Sequence, residues 1–299
     1  MIAVWGANSF IGRHVTHRLC ATNQPVKLFA RNFDEFPFDL PDTTQKFIRD
    51  FNAPDTYIND LADCQALVLL VSASQARTFA NDPAQEVEQN VKPYQHLFEA
   101  LQSRQTAIEH IIYASSGGTV YGITAPYPIP ETHPTNPISP YGQGKLAIEN
   151  LLIDHAAKTK CTYTILRIAN PVGRFGKRKG LIDYVLAAAN SGKPLTVNGD
   201  GKIVRDYFDV AELAEAFDLC LHHPAARNEI FNVGSGIGHS INDVITIAEK
   251  VTNKKITVRH NPPIAADAPY NVLDCTRTHK EIAWKHKNDL MYVVRTLWG

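Results

Sequence analysis

Tyr141 and Lys145 stand four residues apart, directly after Pro137-Ile138-Ser139-Pro140. From Lys145 onward, Leu146, Ala147, Ile148, Leu151 and Leu152 show apolar spacing of three and four, so Ser139–Lys158 reads as a helix. A separation of four then puts the phenol and the ammonium on one helix face. A free tyrosine titrates near pH ~10. A positive charge about 4–5 Å away, at an effective dielectric of ~20, favours the phenolate by roughly 3–4 kcal/mol, or about two to three pKa units. Tyr141 is thereby a candidate acid/base near neutral pH. The same spacing also fits an ordinary surface pair, and only the rest of the chain can decide between the two.

The second candidate is Gly6-Ala7-Asn8-Ser9-Phe10-Ile11-Gly12, which follows the apolar Ile2–Val4 and leads into a helix marked by Ile11, Val15 and Leu19. Glycine after a first strand, and again where the helix opens, lets backbone approach a pyrophosphate at the helix N-terminus. Gly6 and Gly12 are placed for this, but the middle position is Ser9, and a ligand-free tight turn fits as well. The second strand ends Phe29-Ala30-Arg31-Asn32, without the acid that usually receives the ribose hydroxyls of NAD. Arg31, helped by Arg13, suits a 2′-phosphate, which favours NADP over NAD; a solvated Arg31 is the alternative.

These residues need elements to hold them. Strands are expected at Ile2–Val4, Val26–Ala30, Lys46–Ile48, Ala66–Val71, His110–Ser116 and Thr162–Ala169, with helices between them, including a long one over Pro83–Arg104 that Pro93 kinks. Such alternation implies an α/β fold with a parallel, doubly wound sheet. From about Asn170 the elements become shorter. Helices at Leu181–Asn190, Val210–Leu221 and Ile241–Val251 alternate with strands near Leu195–Val197, Val204–Phe208, Glu229–Val233 and Ile256–His260. We read residues 1–169 as a dinucleotide-binding domain and 170–299 as mainly a smaller α/β substrate-binding domain, with some segments returning to the sheet.

Composition narrows the function. The chain has 299 residues, with 30 basic and 30 acidic side chains, which gives no reason to expect a nucleic-acid or anionic-membrane partner. Its longest apolar run, Ala66–Val71, is too short to span a bilayer, and Met1–Val4 reads as strand rather than secretory leader. The 5 cysteines are widely spaced and read as reduced thiols of a cytoplasmic protein. None of the 12 histidines falls in a cluster with metal-ligand spacing, so no metal site is expected.

Taken in chain order, the motifs converge. The glycine turn, Asn90 in a long helix, Ser115-Ser116-Gly117-Gly118-Thr119-Val120-Tyr121-Gly122 after the fifth strand, and Tyr141 with Lys145 resemble the extended short-chain dehydrogenase/reductase family. Asn170-Pro171-Val172-Gly173 and Gly199-Asp200-Gly201…Val204-Arg205-Asp206-Tyr207 resemble, within it, the nucleotide-sugar epimerase branch of UDP-galactose 4-epimerase and its relatives. The resemblance spans essentially the whole chain. It implies a Rossmann-type sheet, bound NAD or NADP, a nucleotide-sugar substrate and a homodimer. It also implies roles. Tyr141 exchanges a proton with the sugar hydroxyl while Lys145 holds the nicotinamide ribose. Gly6, Ser9, Phe10, Ile11 and Gly12 line the pyrophosphate, Asp50 and Phe51 the adenine, and Ser72, Ala73 and Asn90 the nicotinamide half. Asn170 and Arg205 hold the substrate diphosphate, with Tyr121 also on the substrate side.

Departures from the family pattern qualify these roles. The usual catalytic Ser/Thr falls on Gly117, so Thr119 or Ser116 has to supply that hydroxyl; two-residue spacing in extended chain favours Thr119. The Asp-Glu pair of the dehydratase branch is replaced by Gly118-Thr119, which removes the acid and base of water elimination. Ile264 stands where the branch usually has a phosphate-binding arginine. The expected activity is therefore epimerisation of a nucleotide sugar, through hydride removal to a keto-sugar and return to its other face. An NADP-dependent reductase of a keto-sugar or other small carbonyl compound is the first alternative, and a non-catalytic NAD(P)-binding regulatory protein the second.

Overall fold

β-Branched and aromatic runs bounded by polar turns become strands where the pattern marks them, and polar caps start the helices between. The computed structural model describes residues 1–22, 24–74, 78, 82–125, 127–175, 180–263 and 268–299. Ile264 lies outside the described residues. The first part of the chain runs β1 (Ile2–Trp5), α1 (Phe10–Ala21), β2 (Val26–Ala30), β3 (Gln45–Ile48), β4 (Ala66–Leu69), α2 (Pro83–Glu86), α3 (Lys92–Ser103), β5 (His110–Ser116), α4 (Pro140–Lys158) and β6 (Thr162–Ile168). It continues with β7 (Asn170–Val172), α5 (Leu181–Ser191), β8 (Leu195–Asn198), β9 (Val204–Asp209), α6 (Val210–His222), β10 (Glu229–Val233), β11 (Gly238–Ser240), α7 (Ile241–Thr252), β12 (Val258–Asn261), β13 (Tyr270–Asn271), α8 (Thr276–Ile282) and α9 (Leu290–Trp298).

Seven parallel strands form the central sheet in the order β10-β6-β5-β4-β1-β2-β3. This is the doubly wound Rossmann arrangement, with β10 added beside β6 in parallel register, Val233 opposite Ile168. One face is covered by α1 and α6, through Val15, Leu19, Leu213 and Phe217; the other by α3 and α4, through Leu97, Phe98, Ile148 and Leu152. β1 lies between β2 and β4, so the chain reverses its direction of travel across the sheet at that point. A crevice opens there beyond the strands' carboxyl ends, which is where such sheets take ligands. Around β9 gathers a second sheet, in which β7 and β13 run parallel to it and β11 antiparallel. The pair β8–β12, with α5, α7 and α9, encloses a separate core of Val185, Val197, Val244, Ala248 and Val294.

Pro93 bends the long helix in a specific way. It has no N–H to give to the carbonyl four residues earlier, and the chain widens into a π turn over Val87–Val91 between α2 and α3, where the Lys92 N–H reaches back to Val87 O. The helices α1 and α4 start from serine caps. Ser9 Oγ accepts from Gly12 N at 3.1 Å, and Ser139 Oγ accepts from Gly142 N at 3.1 Å, with Pro140 opening α4.

Gly6, at φ +82°, makes the turn out of β1, a conformation that glycine adopts without strain. Gly12 permits α1 to lie directly on that turn: a Cβ there would overlap the Gly6 carbonyl oxygen and stand 2.9 Å from Ala7 Cα. Gly12→Ala should therefore cost about 1–3 kcal/mol of stability, read as a lower urea midpoint with an unchanged slope.

Candidate active site

The crevice is a cleft of about 1770 Å³ between the central sheet and the β9 region. Its floor comes from the ends of four adjacent strands: Gly6 after β1, Ala30 and Arg31 after β2, Asp50 and Phe51 after β3, and Leu70, Ser72 and Ala73 after β4. Ser9, Phe10 and Ile11 bring the N-terminus of α1 to the same wall. No acidic residue occupies the first turn of α1, so its backbone dipole presents uncompensated positive charge. Asn8 reaches across to tie down the chain after β2, donating to Asn32 O at 3.0 Å and Asp34 O at 3.2 Å. A dinucleotide fits this floor. The cradle is backbone at Gly6, the helix end suits a pyrophosphate, and exposed Arg31 stands at the wall where β2 ends without an acid.

Tyr141 lines the opposite wall with Ser116, Thr119, Ser139 and Pro140. Lys145 sits one turn behind it, buried, with Nζ 5.7 Å from the Tyr141 ring centre. That ammonium donates to Ala114 O at 2.8 Å and lies 4.9 Å from the Tyr113 ring centre. Burial pushes the Lys145 amine down to about 8, against the upward pull of Glu86 and Glu149. Below that pH the amine stays charged.

Gly117 is not on the cleft wall, and a Cβ there would stand 2.6 Å from Leu273 Cδ1 and 3.1 Å from Arg167 O. Leu273 fills the space that a side chain at 117 would need. Ser116, Gly118 and Thr119 face the cleft instead. Thr119 packs against Gly142, the residue after Tyr141, and its buried hydroxyl has no hydrogen-bond partner among the described residues. A buried hydroxyl without a partner at a cleft wall is a group that a bound molecule can satisfy.

Asn170 of β7 stands opposite Tyr207 of β9, and Asn170 and Arg205 both line the cleft. Asn170 Nδ2 donates to Asp206 O at 3.2 Å, and Arg205 Nη1 to Val204 O at 2.8 Å. Beyond them the wall continues through Tyr207 of the same motif and through Ile203 and Leu181, which the sequence motifs did not mark.

Several expected contacts lie behind the wall. Gly12 supports the turn rather than lining the cleft. Asn90 is buried, its Oδ1 accepting from Ala73 N at 2.8 Å and its Nδ2 donating to Ser74 Oγ at 3.0 Å, so it fixes the loop after β4. Arg13 does not join Arg31. It is buried, giving Nε to Asn8 Oδ1 at 2.9 Å and Nη1 to Phe175 O at 3.0 Å. Tyr121 is not on the substrate side. It is 1 % exposed, donates to Asn232 Oδ1 at 2.7 Å and accepts from Arg167 Nη1 at 3.2 Å. The chain after Ser116 is a turn rather than the extended segment expected, so Thr119 and Tyr121 do not share a face: Thr119 meets the cleft and Tyr121, just before the left-handed Gly122, enters the core. Tyr121→Phe should therefore cost about 1–3 kcal/mol of stability in a denaturant titration while leaving the KM for substrate unchanged.

Comparison with known proteins agrees with this geometry. Residues 2–234 match the model of the NAD dependent epimerase/dehydratase family. The chain is 30% identical to the UDP-glucose 4-epimerase of Lactobacillus helveticus over 235 residues, covering 72% of this chain and 70% of that one. It is 26% identical to the dTDP-4-dehydro-6-deoxyglucose reductase of Escherichia coli, covering 95% of this chain and 92% of that one. The Thermus thermophilus UDP-glucose 4-epimerase, solved in complex with NAD, superposes with a TM-score of 0.88 at 26% identity, covering 99% of this chain and 96% of that one. Among the described residues no helix is long and apolar enough to cross a membrane. With a family model matched over more than three-quarters of its length, a parallel sheet of the matching order and the Tyr141–Lys145 pair at the sheet's crevice, the chain belongs to the NAD dependent epimerase/dehydratase family.

Proposed function

We propose that the protein is an NAD(P)-dependent epimerase of a nucleotide sugar. The observation that carries this reading is Tyr141, backed by the buried Lys145, on a cleft whose other wall is the Gly6–Gly12 turn. In this reading residues 1–169 mainly hold the dinucleotide and 170–299 mainly the sugar nucleotide. Gly6, Ser9, Phe10 and Ile11 receive the pyrophosphate, Asp50 and Phe51 flank the adenine, and Ser72 and Ala73 lie along the nicotinamide half. When bound, the dinucleotide accepts a hydride from the substrate and returns it.

The chain's own residues do the remainder. Tyr141 removes the proton from the sugar hydroxyl as phenolate and gives it back to the same oxygen when the carbonyl is reduced. The Lys145 charge stabilises that phenolate. Thr119, with Ser116 beside it, donates a hydrogen bond to the sugar oxygen and orients it. Arg205 and Asn170 hold the diphosphate, so that the keto-sugar turns within the cleft while its anchor stays in place. Gly118 and Thr119 offer no carboxyl group at the position where elimination of water would need one, which favours epimerisation over dehydration within the family.

A second reading, reduction of a keto-sugar with NADPH, draws support from Arg31 at the cleft wall and from the similarity to a dTDP-4-dehydro-6-deoxyglucose reductase. Incubation with a panel of nucleotide sugars separates the two. Epimerisation gives the 4-epimer with no net change in NAD(P)H absorbance, whereas reduction consumes NADPH in proportion to product. Tyr141→Phe should lower turnover by about 10²–10⁴-fold while bound cofactor still copurifies; full turnover in that variant would sink both catalytic readings. For cofactor choice, Arg31→Ala should weaken NADP binding by about 10–100-fold in calorimetric titration and leave NAD binding unchanged.

A further inference from the structure

The mechanism above leaves one buried ionisable group beside the acid/base pair unused. Glu86, at the end of α2, is 2 % exposed, and its Oε2 has no hydrogen-bond partner among the described residues. A carboxylate held this way is unfavourable unless opposite charge is near. The side chain lies against α4 at Gly144, where a Cβ would stand 2.5 Å from Glu86 Oε1 and 2.8 Å from Cγ. A glycine leaves that space open, and the next residue along α4 is Lys145.

The groups facing Lys145 can be taken element by element. On α4 itself are Tyr141 and Glu149. Glu149 is already neutralised by Arg167 of β6, whose Nη2 donates to Oε2 at 2.8 Å, and it also accepts from the Ser115 hydroxyl of β5. From β5 comes Tyr113, its ring against the ammonium and its buried hydroxyl without a partner among the described residues. Behind Tyr113 stands Tyr94 of α3, its ring 5.4 Å from that of Tyr113 and its hydroxyl donating to Val71 O at 2.7 Å. The π turn carries Glu88, which pairs with Lys92. α2 contributes Glu86, whose charge no direct ion pair cancels among the described residues. Of the two carboxylates that act on Lys145, Glu86 has the larger influence.

We propose that Glu86 is the counter-ion of Lys145, a positioning residue that keeps the buried ammonium protonated and thereby maintains the positive charge behind Tyr141. This inference rests on Tyr141 and Lys145 being the acid/base pair. Gly144 is part of the device, since it admits the carboxylate to the helix face.

The test reads the lysine itself, so that it does not depend on turnover. Protein labelled with ¹³C at lysine Cε is titrated by NMR, with the Lys145 signal assigned by its loss in Lys145→Met. In the unaltered protein that signal should titrate near pH 8, where burial and the two carboxylates leave it at about 8. Glu86→Gln should move the titration down by about one unit, and Glu86→Asp should keep it near the original value. Gly144→Ala, which displaces the carboxylate, should shift it in the same direction as Glu86→Gln, and provides the test should Glu86→Gln fail to fold. A Lys145 titration unchanged in folded Glu86→Gln and Gly144→Ala proteins overturns the proposal. Tyr141→Phe assayed in parallel separates the two claims: a loss of turnover there together with an unmoved lysine rejects Glu86 alone.

Discussion

The structure turns on a charge held out of water. Lys145 is buried behind the cleft wall, and desolvation alone would strip its proton well below the ordinary range of an amine. It stays cationic near neutral pH because the surroundings are arranged to receive it. Ala114 O accepts from it, the face of Tyr113 lies under it, and carboxylates stand on two sides. They come from three elements, β5, α2 and α4. Their agreement requires that β5, α2 and α4 keep a fixed register, and the Ser139 cap with Pro140 sets where α4 begins and hence which turn carries the lysine. The parallel pairing of β5 between β4 and β6 fixes Ala114 in turn.

The buried polar groups around this charge are sorted into separate networks. Glu149, Arg167, Ser115, Tyr121 and Asn232 form one chain of ion pair and hydrogen bonds beneath the fifth and sixth strands. Asp206 forms another, accepting from Ser235 N at 2.7 Å, Gly236 N at 3.1 Å and Leu273 N at 3.3 Å, so that one buried carboxylate joins β9 to the loop after β10 and to the segment after β13. Burial raises the Asp206 carboxyl, and those donors pull it back. Such satisfied networks specify packing, whereas the Thr119 hydroxyl and one Glu86 carboxylate oxygen, unpartnered among the described residues, stand next to the Tyr141–Lys145 pair.

Much of this was legible in the residues. The strands at Val26–Ala30, His110–Ser116 and Glu229–Val233 occupy the residues that the pattern marks; the first two lie inside the sheet, where a parallel strand covered on both faces is largely apolar. The Tyr141–Lys145 spacing survives because a helix converts separation by four directly into a shared face. What the sequence hid depends on which way single side chains turn. Tyr121 and Thr119 look equivalent as motif residues, yet the turn ending at Gly122 sends one into the core and the other to the cleft. Arg13 sits beside the glycine turn in sequence, but its guanidinium is buried, held by Asn8 Oδ1 and the Phe175 carbonyl. Glu86 gave no signal at all, since a glutamate in a first helical turn ordinarily faces solvent; its burial is decided by Gly144, 58 positions away.

Gly117 and Leu273 show how a motif can lose a group and keep its shape. The segment around Leu273 is tied in place by the bridge to Ile129 and by the Asp206 carboxylate, so Leu273 cannot withdraw to admit a side chain at 117. Asn271 Nδ2 donates to Gly117 O at 3.0 Å and holds that backbone down as well. With 117 closed, a hydroxyl can reach the cleft from this loop only at 116 or 119, since 118 is also glycine. Ser116 still belongs to β5, whereas Thr119 lies on the turn that packs directly on the start of α4. With 117 closed by a rigid neighbour, the cleft-facing hydroxyl that shares a contact with the Tyr141 helix is that of Thr119. The steric constraint, rather than the motif, determines which hydroxyl is available.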